Sequence, residues 1–110
     1  MAKEKDIAPE IKDIAIKFAS VIKSRGIRIA KIILFGSYAK GKAKGYSDID
    51  LCIVSPQFGK DSILELQFLL KQSRHVDDRI EPIPVSVKGY RNNASPLICE
   101  VKKFGKEIML

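Results

Sequence analysis

The sequence predicts an α/β (α+β) protein built on a small mixed β-sheet flanked by helices. Two observations carry this prediction: strand-like runs alternate with helical patterns along the chain, and the strand-like runs end at glycine, serine or proline. Hydrophobic residues make up 45% and charged residues 30% of the 110 residues, which is typical of a globular protein with a real core. We therefore expect a single domain over residues 1–110.

The first element is an amphipathic helix. Apolar residues recur at three- and four-residue steps between Ile7 and Ile22, the spacing that lines one face of a helix. Asp6 is placed to cap its start, Pro9 is tolerated in its first turn, and Gly26 is placed to end it.

Two strands should follow, separated by a glycine- and lysine-rich stretch. The run at 28–35 is rich in β-branched residues and ends at Gly36. Ser37 to Lys42 could begin a short helix, with the serine near its N-terminus. Residues 48–54 form the second strand, which Ser55 and Pro56 close.

The second half of the chain predicts two more helices and a strand between them. Asp61 should cap an apolar helix formed by Ile63 to Leu70. The strand at 77–85 contains Pro82 and Pro84, which cannot donate to a β-ladder, so it should lie at a sheet edge or bend there.

A last helix should run from Ser95 to Phe104. Serine followed by proline is typical of a helix start, and Gly105 is placed to end the helix. The final residues, 107–110, could form a terminal strand.

Charge and cysteine usage limit the class of partner. The net charge of +7 suits an anionic partner, which could be a nucleotide, a nucleic acid or an acidic protein.

No apolar run approaches the ~20 residues needed to span a bilayer, and the first residues lack a signal-peptide core, so we expect a cytoplasmic protein without membrane contact. Cys52 and Cys99 match no metal-binding spacing, and both are expected to be reduced and buried.

Two aspartates in the second strand give the strongest chemical signal. Asp48 and Asp50 alternate with apolar residues, so they should project from one face with Cα atoms ~6.6 Å apart. Two like charges this close need compensation, and a site with oxygen donors alone favours Mg²⁺ or Mn²⁺. A third carboxylate usually completes such a two-metal centre. We favour Glu81 on the next strand, with Asp77 and Asp78 as competitors in the turn before it.

The end of the first strand is suited to binding phosphate. Gly36 would let the backbone approach a phosphate closely, and Ser37 with the N–H groups around it would bind its oxygens. Lys40, Lys42 and Lys44 could meet the remaining charge of a triphosphate. An ordinary turn and a solvated basic loop remain open as alternatives.

Other reactive side chains have weaker patterns. His75 is isolated and is expected to be exposed to solvent. Cys52 adjoins the aspartates but is expected to point away from them. Tyr38 and Tyr46 flank the basic loop, where they could stack on a base, contact a partner or simply pack against the protein.

The spacing of these motifs resembles the signature of the DNA polymerase beta superfamily of nucleotidyltransferases. That signature is Gly-Ser, ten residues and Asp-x-Asp, as found here from Gly36 to Asp50. The short chain and the sequence RIEP at 79–82 resemble the minimal nucleotidyltransferase (MNT) branch. The resemblance extends from Ile29 to near the end of the chain and implies a polymerase-beta-like nucleotidyltransferase fold.

The resemblance also implies an activity. A nucleoside monophosphate, most often AMP from ATP, would pass to a hydroxyl group while pyrophosphate leaves. By position, Gly36, Ser37 and Lys40 would hold the triphosphate, although the family usually has arginine where Lys40 stands.

The metal-binding and catalytic acids implied by the resemblance are Asp48, Asp50 and Glu81. The two aspartates would bind two Mg²⁺ ions, with Mn²⁺ as a substitute. Glu81 would bind the catalytic metal and help to deprotonate the acceptor hydroxyl. The family often has aspartate at this third position, and glutamate is one methylene longer.

Relatives in this branch resemble antitoxins that bind a HEPN-domain toxin and in some cases add AMP to it. The leading hypothesis is therefore a protein-modifying nucleotidyltransferase with a HEPN-toxin partner. The alternative is a catalytically weak module that neutralises the toxin by complex formation alone. Direct nucleic-acid binding ranks last because no recognition helix or stacking surface is evident. The sequence leaves homo-oligomers and hetero-oligomers equally open.

Overall fold

The computed structural model describes residues 7–110 as helices packed on both faces of a four-stranded sheet. The strand order is β3-β2-β1-β4, in which β1 pairs antiparallel with both β2 and β4, while β2 pairs parallel with β3. The predicted mixed sheet with flanking helices is confirmed. The elements are α1 (Pro9–Ser24), β1 (Lys31–Phe35), β2 (Ile49–Ser55), α2 (Ser62–Ser73), β3 (Ile80–Ser86), α3 (Val87–Tyr90), α4 (Pro96–Phe104) and β4 (Lys106–Glu107).

Helix α1 begins and ends close to the predicted positions. Pro9 occupies its first turn, and the residue at its N-cap, Ala8, makes no side-chain capping bond. The predicted cap, Asp6, lies outside the described residues. At the other end Arg25 is the C-cap, and Gly26 follows with a φ of 89°, a conformation that glycine adopts without strain.

The short helix predicted at Ser37–Lys42 is wrong. This stretch is a series of turns, closed by the bond from the Lys40 N–H to the Gly36 carbonyl at 3.1 Å. Gly36 and Gly41 both have a φ of 72°, so left-handed residues bracket the segment. The few residues between them are too short a stretch to nucleate a helix.

Sequence signals at the other termini are confirmed. The Asp61 carboxylate accepts from the Leu64 N–H at 3.1 Å, and the Ser95 hydroxyl caps α4, which ends at Gly105. Strand β3 is an edge strand, as the prolines Pro82 and Pro84 predicted. The terminal strand is only two residues long and begins one residue earlier than predicted.

Two apolar cores lie on opposite faces of the sheet because the side chains of β2 alternate. Leu51 and Ile53 face α1 and α2, whereas Cys52 and Val54 face α4. Asp50 has the same parity as Cys52, so it lies on the α4 face. The α1-side core includes Ile11, Ala15, Phe18, Ala19, Ile22, Ile32, Leu34, Ile49, Leu51, Ile53, Leu69 and Ile80. The α4-side core comprises Ile33, Phe35, Cys52, Val54, Val85, Ile98 and Val101.

Helix α2 forms as predicted, although Ile63 and Leu64 are 69% and 61% exposed and Leu69 is its only buried apolar residue. The expectation that Cys99 is buried is wrong, because α4 turns Ile98 and Val101 toward the sheet and its outer side toward solvent. Cys52 is buried as predicted. None of the helices in the described part of the chain is long and apolar enough to cross a membrane.

Candidate active site

The predicted acids lie at the same end of the sheet. Asp48 directly precedes β2 and is exposed, while Asp50 lies within that strand and is half-buried. In the parallel pairing of β2 with β3, Glu81 is the register partner of Asp50. Register partners project from the same face of a sheet, so both side chains lie on the α4 face. The strand pairing on which the choice of Glu81 depended is therefore confirmed.

The environment of Asp50 favours its neutral form. Burial, followed by the negative charges of Asp48, Glu81 and Glu100, raises the pKa of Asp50 from 3.8 to about 6. Three carboxylates thus act on one half-buried aspartate. Glu100 belongs to α4 and was missed by the sequence analysis, since nothing in its local pattern separates it from a surface acid.

Gly36 brings the end of β1 against this aspartate. Its neighbour Phe35 is the register partner of Asp50 on the antiparallel side. A Cβ built on Gly36 would collide with the Asp50 carboxylate, and its φ of 72° is itself unfavourable for other residues. Glycine is therefore required here for two reasons. The Gly36-Ser37 turn therefore lies against Asp50, and we refer to the region of this turn with Asp48, Asp50 and Glu81 as the cleft.

Helix α4 borders the cleft through an ion pair. The Lys40 ammonium lies 3.0 Å from the Glu100 carboxylate and 4.9 Å from the centre of the Phe104 ring. A cavity of about 310 Å³ is lined by Lys40, Lys42 and Phe104. Lys40, the predicted phosphate-binding lysine, is thus ion-paired with Glu100, whose charge also acts on Asp50.

The competing acids do not join the group. Asp77 accepts from the Arg79 guanidinium at 3.0 and 3.1 Å, and this bond lowers the pKa of Asp77. Asp78 is exposed in the turn before β3. Both are turn residues, as predicted. His75 is exposed, which was also predicted.

The remaining reactive side chains divide between the cleft face and solvent. Cys52 lies on the same face as Asp50, two residues further along β2, so the expectation that it points away is wrong. Burial raises the pKa of the Cys52 thiol to about 12, which leaves it unreactive. Tyr38 packs against the α1-side core, and Tyr46 is 79% exposed.

The chemistry of these residues fits a hard divalent cation. Asp48, Asp50 and Glu81 supply oxygen donors alone, and a bound cation would relieve the repulsion that raises the pKa of Asp50. Among residues 7–110, no three His, Cys, Asp or Glu side chains are already grouped as a metal site. The backbone brings the acids together, and their side chains would have to converge further on an ion.

Comparisons with known proteins identify the family of the chain. Residues 15–108 match the protein family described as "Nucleotidyltransferase domain". A Methanocaldococcus jannaschii protein, provisionally named a protein adenylyltransferase, is 33% identical over 85 residues, covering 69% of this chain. The alignment spans 55% of that relative, so the chain corresponds to about half of its length.

Solved structures share the fold. A chain from a crystal structure of a toxin–antitoxin with AMP-PNP superposes with a TM-score of 0.62 at 24% identity, covering 89% of this chain and 72% of the other. A structure of a tri-AMPylated Shewanella oneidensis HEPN toxin in complex with its MNT antitoxin gives a TM-score of 0.59 at 20% identity, covering 90% and 71%.

Proposed function

The chain belongs to the family of nucleotidyltransferase domains, and we propose that it transfers AMP from ATP to a hydroxyl group of a partner protein. The observation that carries this proposal is the register pairing of Asp50 with Glu81 beside Gly36. A nucleotidyl transfer needs carboxylates beside a phosphate-binding turn, and the placement of these residues supports the proposal.

Each residue of the cleft has a role in the proposed reaction. Gly36 lets the turn after β1 lie against the Asp50 carboxylate, and Ser37 and the turn that follows would bind the triphosphate oxygens. Asp48, Asp50 and Glu81 would hold divalent metal, Mg²⁺ or Mn²⁺. When bound, such ions neutralise the phosphate charge and stabilise the attacking and leaving oxygens.

The bond changes balance without a further reactant. The acceptor hydroxyl oxygen bonds to the α-phosphorus of ATP, and the bond from that phosphorus to the pyrophosphate oxygen breaks. Glu81 would receive the proton of the hydroxyl, the role that the family resemblance implies, and its side chain is exposed to an incoming acceptor. Pyrophosphate leaves and AMP remains on the acceptor.

We propose a HEPN-domain toxin as the partner and a tyrosine hydroxyl as the acceptor. Support comes from the sequence resemblance to the MNT branch and from the toxin–antitoxin context of structures with the same fold. The net charge of +7 would also favour association with an acidic protein surface.

Labelling tests the proposal directly. The chain is incubated with radiolabelled ATP, Mg²⁺ and a HEPN-domain toxin encoded beside it. We expect label on the toxin with the wild-type chain and none with Asp48→Ala. Equal labelling by the two proteins would overturn the assignment of the acids.

A second candidate is a module that neutralises the toxin by binding alone. The ion pair between Lys40 and Glu100 favours it, since the paired lysine is less available to a triphosphate. In that case a chain carrying both Asp48→Ala and Asp50→Ala would still protect cells from the toxin. Loss of protection in this double variant would exclude the binding-only function.

A further inference from the structure

One guanidinium connects three segments at the acid-bearing end of the sheet. Arg79 lies in the turn before β3, two residues from Glu81. Its Nε and one terminal nitrogen donate to the two Asp77 carboxylate oxygens at 3.1 and 3.0 Å. The same terminal nitrogen lies 3.3 Å from the Glu10 carboxylate of α1. The turn before β3 and helix α1 are thereby held together.

The third segment is the active-site loop, which we define as residues 36–47. The other terminal nitrogen of Arg79 donates to the Tyr38 hydroxyl at 3.3 Å and to the Gly45 carbonyl at 3.2 Å. Tyr38 directly follows the Gly-Ser pair, and Gly45 lies three residues before Asp48. Arg79 therefore reaches both ends of the loop that joins the phosphate-binding turn to the first aspartate.

The loop has few other side-chain bonds to fix its shape. The Tyr38 hydroxyl donates to the Lys44 carbonyl at 3.2 Å, and the Lys44 N–H donates to the Ser47 hydroxyl at 2.8 Å. Both bonds lie within the loop itself. The loop is tied to the rest of the protein by the bonds from Arg79 and by the ion pair of Lys40 with α4. The loss of the Arg79 bonds should free the loop more than the sheet.

The main chain of Arg79 acts at the same place. Its carbonyl accepts from the N–H of Ile49 at 2.7 Å, and Ile49 lies between the two aspartates. This bond continues the pairing of β2 with β3 by which Glu81 stands beside Asp50. Arg79 thus helps to hold the aspartate-bearing strand in position through its backbone carbonyl, and it holds the active-site loop through its side chain.

Only arginine can make this set of side-chain bonds. A guanidinium is planar and carries five N–H donors, whereas a lysine ammonium has three donors at a single point. The Arg79 side chain is only 25% exposed, so it lies largely among protein atoms. A guanidinium is charged throughout the physiological range, so its bonds to Asp77 and Glu10 are charge-assisted.

We propose that Arg79 is a positioning residue that holds the active-site loop so that the Gly-Ser turn and the three acids keep their productive arrangement. This inference rests on the proposed nucleotidyltransferase function. Arg79 need not touch the nucleotide, because it acts through Tyr38 and Gly45. A displacement of about 1 Å in such a loop can lower turnover about 10²-fold.

The test compares Arg79→Lys with Arg74→Lys in the whole chain. Arg74 is exposed at the end of α2, so its substitution is a matched control of the same chemical change. Amide hydrogen exchange is measured without nucleotide, together with kcat and KM for AMP transfer. We expect exchange in the active-site loop to rise about tenfold or more in Arg79→Lys, with little change in β1 and β2. We expect kcat/KM to fall about tenfold or more, and Arg74→Lys to match the wild type.

A second variant keeps the proposal testable if Arg79→Lys fails to fold. Tyr38→Phe removes one Arg79 contact and the bond to the Lys44 carbonyl but keeps the packed ring, and it should raise loop exchange by a smaller factor. Unchanged loop exchange in both variants would overturn the proposal, as would faster exchange with wild-type kcat/KM. If the wild-type chain transfers no AMP at all, the proposed function fails. In that case loop exchange still shows whether Arg79 holds the loop.

Discussion

The two faces of the sheet are built differently. The face toward α1 and α2 is closed by a continuous apolar core in which Phe18 and Ile22 are fully buried. The face toward α4 has a smaller core, and beyond its end lie Asp50 and its acidic neighbours. The α1 face therefore buries more apolar surface and contributes more to the free energy of folding, while the α4 face accepts like charges at some cost in stability. Substitutions on the two faces should have opposite consequences.

The largest effect should come from removing a charge on the α4 face. Glu81→Gln preserves the shape of the side chain and should lower AMP transfer ~10³-fold, equivalent to ~4 kcal/mol of activation free energy. Asp78→Asn, an exposed acid in the turn before β3, should leave activity unchanged. Steady-state kinetics check both variants, and a loss in Asp78→Asn alone would reassign the third acid.

A core substitution on the α1 face should affect stability and spare turnover. Phe18→Ala leaves a cavity and should lower the free energy of unfolding by about 3–5 kcal/mol in urea titrations. Ile16→Ala is the matched control, because Ile16 is 37% exposed and its truncation should cost less than ~1 kcal/mol. The folded fraction of Phe18→Ala should retain wild-type kcat, and a reduced kcat would mean that the two faces are coupled.

Asp50→Asn should show the stability cost of the acids. The pKa of Asp50 is about 6 in the fold against an ordinary 3.8, so folding favours its neutral form. Its ionisation destabilises the metal-free protein as pH rises from about 4 to 6, and the neutral variant should be about 1–3 kcal/mol more stable above that range. The difference should vanish near pH 3.

Chemical denaturation at several pH values in EDTA measures this difference. Mg²⁺ should then stabilise the wild type and leave Asp50→Asn unaffected. A constant difference between the two proteins across the pH range would show that the burial of Asp50 is not the cause.

The smallest predicted effect is the difference in stability loss between alanine substitutions at two glycines that have the same φ. Gly36 and Gly41 both have a φ of 72°, but a Cβ would meet the Asp50 carboxylate only at Gly36 and nothing within 4 Å at Gly41. Gly41→Ala should cost about 1 kcal/mol for backbone strain alone, and Gly36→Ala about 1 kcal/mol more. Thermal unfolding compares them, and equal losses would remove the argument for close approach at Gly36.

Local signals in the sequence predicted most of the elements correctly. Asp61 and Ser95 cap their helices through bonds to residues three positions later, and Pro82 and Pro84 identify an edge strand from a property of proline alone. Helix α3 was missed because only Ser86 marks it, through a bond to the Gly89 N–H at 2.8 Å.

Contacts between distant residues could not be predicted in this way. Glu100 meets Lys40 across 60 positions, and Arg79 meets Tyr38 across 41. No periodicity records such pairs, since they depend on how α4 and the turn before β3 pack against the loop. The candidate acids could be predicted because strand alternation and the spacing of the family motif can be read along the sequence. The residues that surround them could be identified only from the folded structure.

Metal binding tests the central claim most directly. Mn²⁺ is titrated into the isotopically labelled chain with a non-hydrolysable ATP analogue, and paramagnetic broadening of amide signals is mapped. We expect broadening centred on residues 36–37, 48–50 and 81, and its loss in the double variant Asp48→Asn/Asp50→Asn. Broadening centred elsewhere, or unchanged in the double variant, would contradict the assignment of these three carboxylates to one metal-dependent site.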